Sequence, residues 1–215
     1  MAAPTPGPKD DLGKRRERTY GYLRLWGIET DLTLLPIVRA PLVPPTSASV
    51  CGRAAASALV ALKGQGLSQL EVFAFADAYG VWPSLSADED DFVLDDAPSS
   101  TQLVMFAWRF EQAFVFEWAL GLVRHLRFPD AAVDTGRVME HLMQRVLTIS
   151  PDQRPLLRTA KELADSADVA FALQAIASAG QPPPLGMLRS VAEERSAAFA
   201  WLLTPGSTIA TPTSD

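Results

Sequence analysis

One cysteine and two histidines in 215 residues exclude a disulfide framework and leave too few ligands for a conventional zinc site. His125 and His141 lie well apart in the chain and form no paired-His helical motif, so neither is expected to hold a metal. Cys51 precedes Gly52 in a small-residue stretch, where a packed core thiol is the common outcome. The Gly-x-Ser-x-Gly nucleophile motif is absent, and Gly64-Gln65-Gly66 is too little to cradle a phosphate. No stretch alternates like a strand for more than a few residues, which argues against a sheet. Lysine is scarce beside arginine, a bias that reads as a GC-rich bacterial genome. No motif implies a cofactor, and no catalytic set is legible.

What remains is a chain 48% hydrophobic and 20% charged, with a net charge of −6. That balance suits a folded protein and disfavours nucleic acid or an anionic membrane as partner. The N-terminus has no apolar run after a basic start, so no secretory signal is read there. Leu103 to Val123 has the length of a membrane span, but it carries Arg109, Glu111 and Glu117. Inserting those charges would cost several kcal/mol, so a buried helix in a cytoplasmic protein is expected. Residues 1–10 and 205–215 are Pro-, Ser- and Thr-rich and read as disordered tails. Between them, residues 11–204 read as a single, mainly α domain of many helices packed round a buried central one.

Helix signals recur along that span. A basic helix is expected from Asp11 to Trp26, with Tyr22, Leu25 and Trp26 apolar and Gly27 as its stop. A Pro-rich loop follows from Leu34-Leu35-Pro36 to Pro44-Pro45, then a small-residue helix from Ala48 to Leu62. Four capping signatures mark later starts: Ser68 with Glu71, Ser86 with Glu89, Ser99 with Gln102, and Ser150 with Gln153. The last helices are expected from Pro155 to Ala179, with a break near Ser166, and from Leu185 to Leu203.

Charges fall on apolar stripes of two helices. Arg109 lies between Met105 and Phe116, and Glu111 between Trp108 and Val115. Arg195 sits on the Leu188, Val191, Ala192, Phe199, Leu202 stripe, and Glu194 shares a face with Met187, Val191, Ala198 and Trp201. A buried charge costs several kcal/mol unless paired. The last helix is therefore expected to pack on the central one, with Glu111 meeting Arg195 and Arg109 meeting Glu194. Such a set is either a structural ion-pair network or a pocket gripping an anionic ligand. A second candidate is the acidic run Asp88, Glu89, Asp90, Asp91, Asp95 and Asp96, which lacks calcium-loop spacing. It reads as a capping face or as a docking patch for a basic partner. The basic cluster Lys14, Arg15, Arg16 and Arg18 reads as a solvated face or as an internal contact to that run.

Trp108-Arg109-Phe110-Glu111 followed by Trp118-Ala119-Leu120-Gly121 resembles the central signature of a bacterial family, domain of unknown function 4272. Gly52-Arg53-Ala54, Leu85-Ser86 with Glu89, Arg154-Pro155, and Glu194-Arg195 with Ala198, Trp201 and Leu202 resemble further segments of that family, in the same order. The resemblance covers most of residues 15–203 and implies its fold; the family carries no assigned reaction. Two segments depart from it. Ala172, Gln174 and Ala175 stand where the family has Arg, His and Trp, and Thr204-Pro205-Gly206 replaces its closing Trp-Asp.

These readings favour a non-catalytic interaction module, for instance an acidic, immunity-like inhibitor masking a basic protein partner. The alternative is a small-molecule-binding domain or enzyme whose pocket uses Arg109, Glu111, Glu194 and Arg195. Neither nucleic acid nor membrane is expected as partner, and the oligomeric state is open.

Overall fold

The computed structural model describes residues 12–31, 35–38, 45–179 and 186–203; the tails expected at 1–10 and 205–215 lie outside the described residues. Among those residues the structure is helical and contains no strand. The helices are α1 (Leu12–Leu25), α2 (Ser47–Gly64), α3 (Gln69–Tyr79), α4 (Ala87–Leu94), α5 (Ser100–Ala107), α6 (Phe110–Ala119), α7 (Thr135–Leu142), α8 (Ala160–Ala179) and α9 (Arg189–Leu203).

Local chemistry sets the starts. Ser68, Ser86 and Ser99 each accept from the amide three residues on, while Glu71, Glu89 and Gln102 reach back to the cap amide. Two otherwise unpaired helix-end donors are thus satisfied at each of these starts. Ser150 caps nothing: residues Pro151–Gln153 make one short turn without a side-chain cap bond. Proline at 155 cannot join a helical ladder in mid-helix. The start moves to Ala160, where Thr159 and Glu162 form the same reciprocal pair at 3.2 and 2.9 Å. The helix α8 then runs unbroken through Ser166. The first helix ends as expected, with Gly27 at φ 70° and the Ile28 amide bonded to the Leu23 carbonyl at 2.9 Å.

The expected central helix is two. The chain turns at Trp108-Arg109, where the Arg109 amide bonds back to Phe106 O and the Glu111 amide to Trp108 O, at 3.0 and 2.9 Å. These three-residue steps tighten the backbone and re-aim the following helix. On the N-terminal side, α5 buries only Phe106 and leaves Val104 63% exposed. On the C-terminal side, every residue of α6 except Phe114 is buried. It packs against α2, α7 and α9, so it is the wrapped element, half as long as the sequence suggested.

Outward from α6, α9 packs on α8 and α8 on α1, while α2 supports α3, α4 and α5. The α1 helix inverts expectation. Tyr22 and Leu25 are 51% and 81% exposed, and its inward face carries Arg15, Thr19 and Leu23. Arg15 reaches Asp165 at 3.2 Å and also bonds the Val38 carbonyl. Thr19 donates to Asp168, which also accepts the Val38 amide at 2.9 Å. Arg15 and Arg18 of the basic cluster therefore meet Asp165 on α8, and Arg16 bonds the Leu35 carbonyl at 3.0 Å; none of these contacts is to the acidic run. Paired carboxylates on α8 make it possible to bury a cationic face of α1.

Candidate functional site

The charges that the sequence placed on apolar stripes meet in the core. Arg195 on α9 donates through Nε to Glu111 Oε2 on α6 at 2.9 Å. Arg109 donates through Nη1 to Glu194 Oε2 at 2.8 Å, and Gln112 donates to the same oxygen at 2.6 Å. A second layer continues the network. Arg53 on α2 grips Glu89 on α4 in a two-pronged pair at 2.7 and 2.9 Å and also donates to the Ser84 carbonyl. Glu89 in turn lies 3.7 Å from Arg109 Nε. Such forked pairing is what arginine does best at a buried carboxylate.

Electrostatics separates the carboxylates. Burial pushes Glu89 up, but the hydrogen bond and charge of Arg53, the Ser86 amide and the charge of Arg109 outweigh it and hold its carboxyl below the usual range. Burial also raises Glu111, and there Arg195 and the Val133 amide only partly offset it. Glu117, six residues further along α6, is raised to about 8 by burial. Its Oε2 shares a 3.3 Å hydrogen bond with His141 Nδ1, and its Oε1 has no partner among the described residues. Cys51 lies in the main core, where burial raises its thiol and the charge of Arg154 partly counters that.

One proposed patch is corrected. Glu89 is 1% exposed and turned inward to Arg53, so the run Asp88, Asp90, Asp91, Asp95 and Asp96 lacks its expected member. Helical periodicity decides this, because position 89 falls on the same inner face as Phe92 and Val93. Among the described residues no three His, Cys, Asp or Glu side chains gather as a metal site.

A cavity of about 380 Å³ opens between α1, α8, α9 and the segment 124–129. Its walls include Tyr22, Trp26, Val169, Leu173 and Phe199, and its polar groups include Arg18, Arg124, Arg127, Arg158, Arg195, Glu162 and Asp165. Of the four network residues expected to form a pocket, the cavity reaches Arg195; Arg109, Glu111 and Glu194 lie behind it.

A family model for Domain of unknown function (DUF4272) matches residues 15–208. The chain belongs to this family. Comparison with curated proteins and with solved structures returns no match.

Within this DUF4272 chain, the segments that carry the sequence resemblance converge on the buried network. Arg53, Glu89, Arg109, Glu111, Glu194 and Arg195 come from four such segments and meet within two linked clusters. Ala172, Gln174 and Ala175 do not line the cavity. Arg53 and Gln112 escaped the sequence reading as network members. Arg53 had a signal, a lone charge within a run of small residues from Val50 to Leu62. Arg124 and Arg127 had none, since loop cations ordinarily face water.

Proposed function

We propose that this chain is a small-molecule-binding module whose cavity between α1, α8 and α9 takes an organic anion. One observation carries the reading: five arginines face two carboxylates round an apolar-walled cavity, in a protein of net charge −6. A cationic hollow in an anionic molecule concentrates anions where field lines converge. Its size falls within the range of small-molecule sites, which runs from about 300 to 1,000 Å³. The buried network behind it is the scaffold, since its ion pairs face inward and pair with one another. Masking a basic protein is the weaker reading, because Glu89 belongs to the core. No helix of the described residues is long and apolar enough to cross a membrane. A cytoplasmic location belongs to the proposal, on the ground that the one cysteine is free. The proposal is one of binding and assigns no reaction.

The test is a thermal-shift screen of the full chain against small carboxylic and phosphoric acids, repeated on Val169→Trp, which fills the cavity from α8. A binding acid raises the midpoint by mass action. The expected result is at least one acid that stabilises the native chain and fails on Val169→Trp. Equal shifts in both proteins, or no shift from any acid, would overturn the proposal.

A further inference from the structure

Resting on that reading, we infer that the cavity takes an amphipathic anion: an acidic head held by Arg195 and the 124–127 segment, and an apolar ring-bearing body along α1 and α8. The cations sort themselves by what they already hold. Arg158 is committed: Nε donates to Trp118 O at 2.8 Å, Nη1 pairs with Glu162 at 3.2 Å, and Nη2 donates to Val123 O at 3.0 Å. Its guanidinium also covers the Trp118 ring at 4.7 Å. Arg18 holds Asp165 at 2.7 Å.

Arg195 is different. Its side chain is 8% exposed, Nε holds Glu111 and Nη1 donates to the Arg127 carbonyl at 2.6 Å. Nη2 makes no hydrogen bond among the described residues, and Arg195 lines the cavity. The side chains of Arg124, His125 and Arg127 are exposed and make no hydrogen bond or ion pair among the described residues, and all three line the same cavity. The Nη1 bond sets Arg195 directly against this segment, so the uncommitted donors share one wall. Glu111 already balances the charge of Arg195, and the two loop arginines supply the excess that a further anion needs.

Much of the remaining lining is apolar and aromatic. Tyr22 on α1 and Trp26 just after it line the cavity with ring centroids 6.1 Å apart, and Phe128, outside the lining, packs on Trp26 at 5.3 Å. Leu126, Val169 and Leu173 continue the lining. An inorganic ion would leave this surface wet, and a neutral hydrocarbon would leave the arginines unanswered. Offset stacking on tryptophan and burial of the ring body favour a flat apolar group joined to the acid.

Three probes separate the contributions: 2-naphthoate with head and ring, 2-naphthalenemethanol with ring alone, and inorganic phosphate with charge alone. Each is titrated into the full chain by calorimetry, with amide NMR shifts to place it. The expected result is naphthoate binding tighter than either other probe by about tenfold or more, with shifts on α1, α8 and segment 124–129. The Arg124→Ala, Arg127→Ala double variant alters two exposed side chains and should keep its fold. It should weaken naphthoate by roughly fivefold or more while leaving the alcohol within about twofold. Trp26→Leu should weaken both ring probes together. Phosphate or the alcohol binding as tightly as naphthoate overturns the amphipathic ligand while leaving an occupied cavity. Naphthoate shifts placed elsewhere overturn the inference too. Silence from all three probes also overturns it, and the acid screen on Val169→Trp then decides the cavity by itself.

Discussion

Arg195 and Glu111, 84 positions apart, meet through a buried hydrogen bond of 2.9 Å, and this one pair holds both ends of the segment between Arg127 and Val133. Arg195 Nη1 takes the Arg127 carbonyl at 2.6 Å, and Glu111 Oε1 accepts the Val133 amide at 2.7 Å. The scaffold pair is therefore also the anchor of the cavity rim.

Removing one partner strands the other. Glu111→Ala leaves Arg195 buried without its carboxylate and frees the Val133 amide, for a loss of about 3–5 kcal/mol. Glu111→Gln keeps an acceptor and should cost less. Urea unfolding measures both, and faster hydrogen exchange at Val133 in the alanine variant would show that the rim has loosened.

Glu117 should make stability fall as the solution turns alkaline. Folded, its carboxyl titrates near 8; its ordinary value is 4.5. Between those values the folded chain holds a proton that the unfolded chain has released, so this contribution declines from pH 4.5 to 8 and is flat outside that window. Glu117→Gln removes the dependence, so its stability relative to the native chain should improve progressively across that window, by a few kcal/mol at pH 8. Unfolding curves at pH 5 and pH 8 check it: an equal difference at both would contradict the assignment.

Gly64 ends α2 against the backbone of α5. A Cβ there would lie 2.5 Å from the Ala107 nitrogen and 2.7 Å from the Leu103 oxygen. In a free helix, Gly→Ala gains about 1 kcal/mol. Here the contacts are backbone and cannot rotate away, so Gly64→Ala should instead lose roughly 1–3 kcal/mol through overpacking. Thermal unfolding gives the sign directly.

Lys63 is a buried cation with every donor used. It bonds Gln69 Oε1 at 2.6 Å, Val93 O at 2.8 Å and the Asp95 carbonyl, with Phe92 beneath it at 5.3 Å. Burial lowers its ammonium, and the charges of Asp95 and Asp96 partly restore it. Lys63→Met keeps the bulk but strands the carbonyl of Asp95 at the end of α4, so a loss of roughly 1–3 kcal/mol is expected. A denaturation midpoint unchanged from the native chain would refute it.

Local rules made much of this legible before any fold was known. Serine followed three residues later by glutamate or glutamine marked three helix starts, because a cap is a contact within four residues. The same signal at Thr159 and Glu162 went unread beside the false start at Ser150. Helical spacing also placed Arg109, Glu111, Glu194 and Arg195 on buried stripes. The cost of burying a charge then required partners, and the pairings Glu111–Arg195 and Arg109–Glu194 are those the structure contains.

Tertiary structure decided the rest. The turn at Trp108-Arg109 is invisible in an unbroken apolar run, since it answers to where α2 and α9 leave room. Arg15 and Glu89 looked like surface charges until α8 and α2 brought Asp165 and Arg53 to them. The cavity is the clearest case. It draws on α1, α8, α9 and a loop, and its positive sign opposes that of the whole chain. Composition determined that this protein is anionic, and capping and spacing signals that it is helical. Packing alone determined that its uncommitted arginines line one wall.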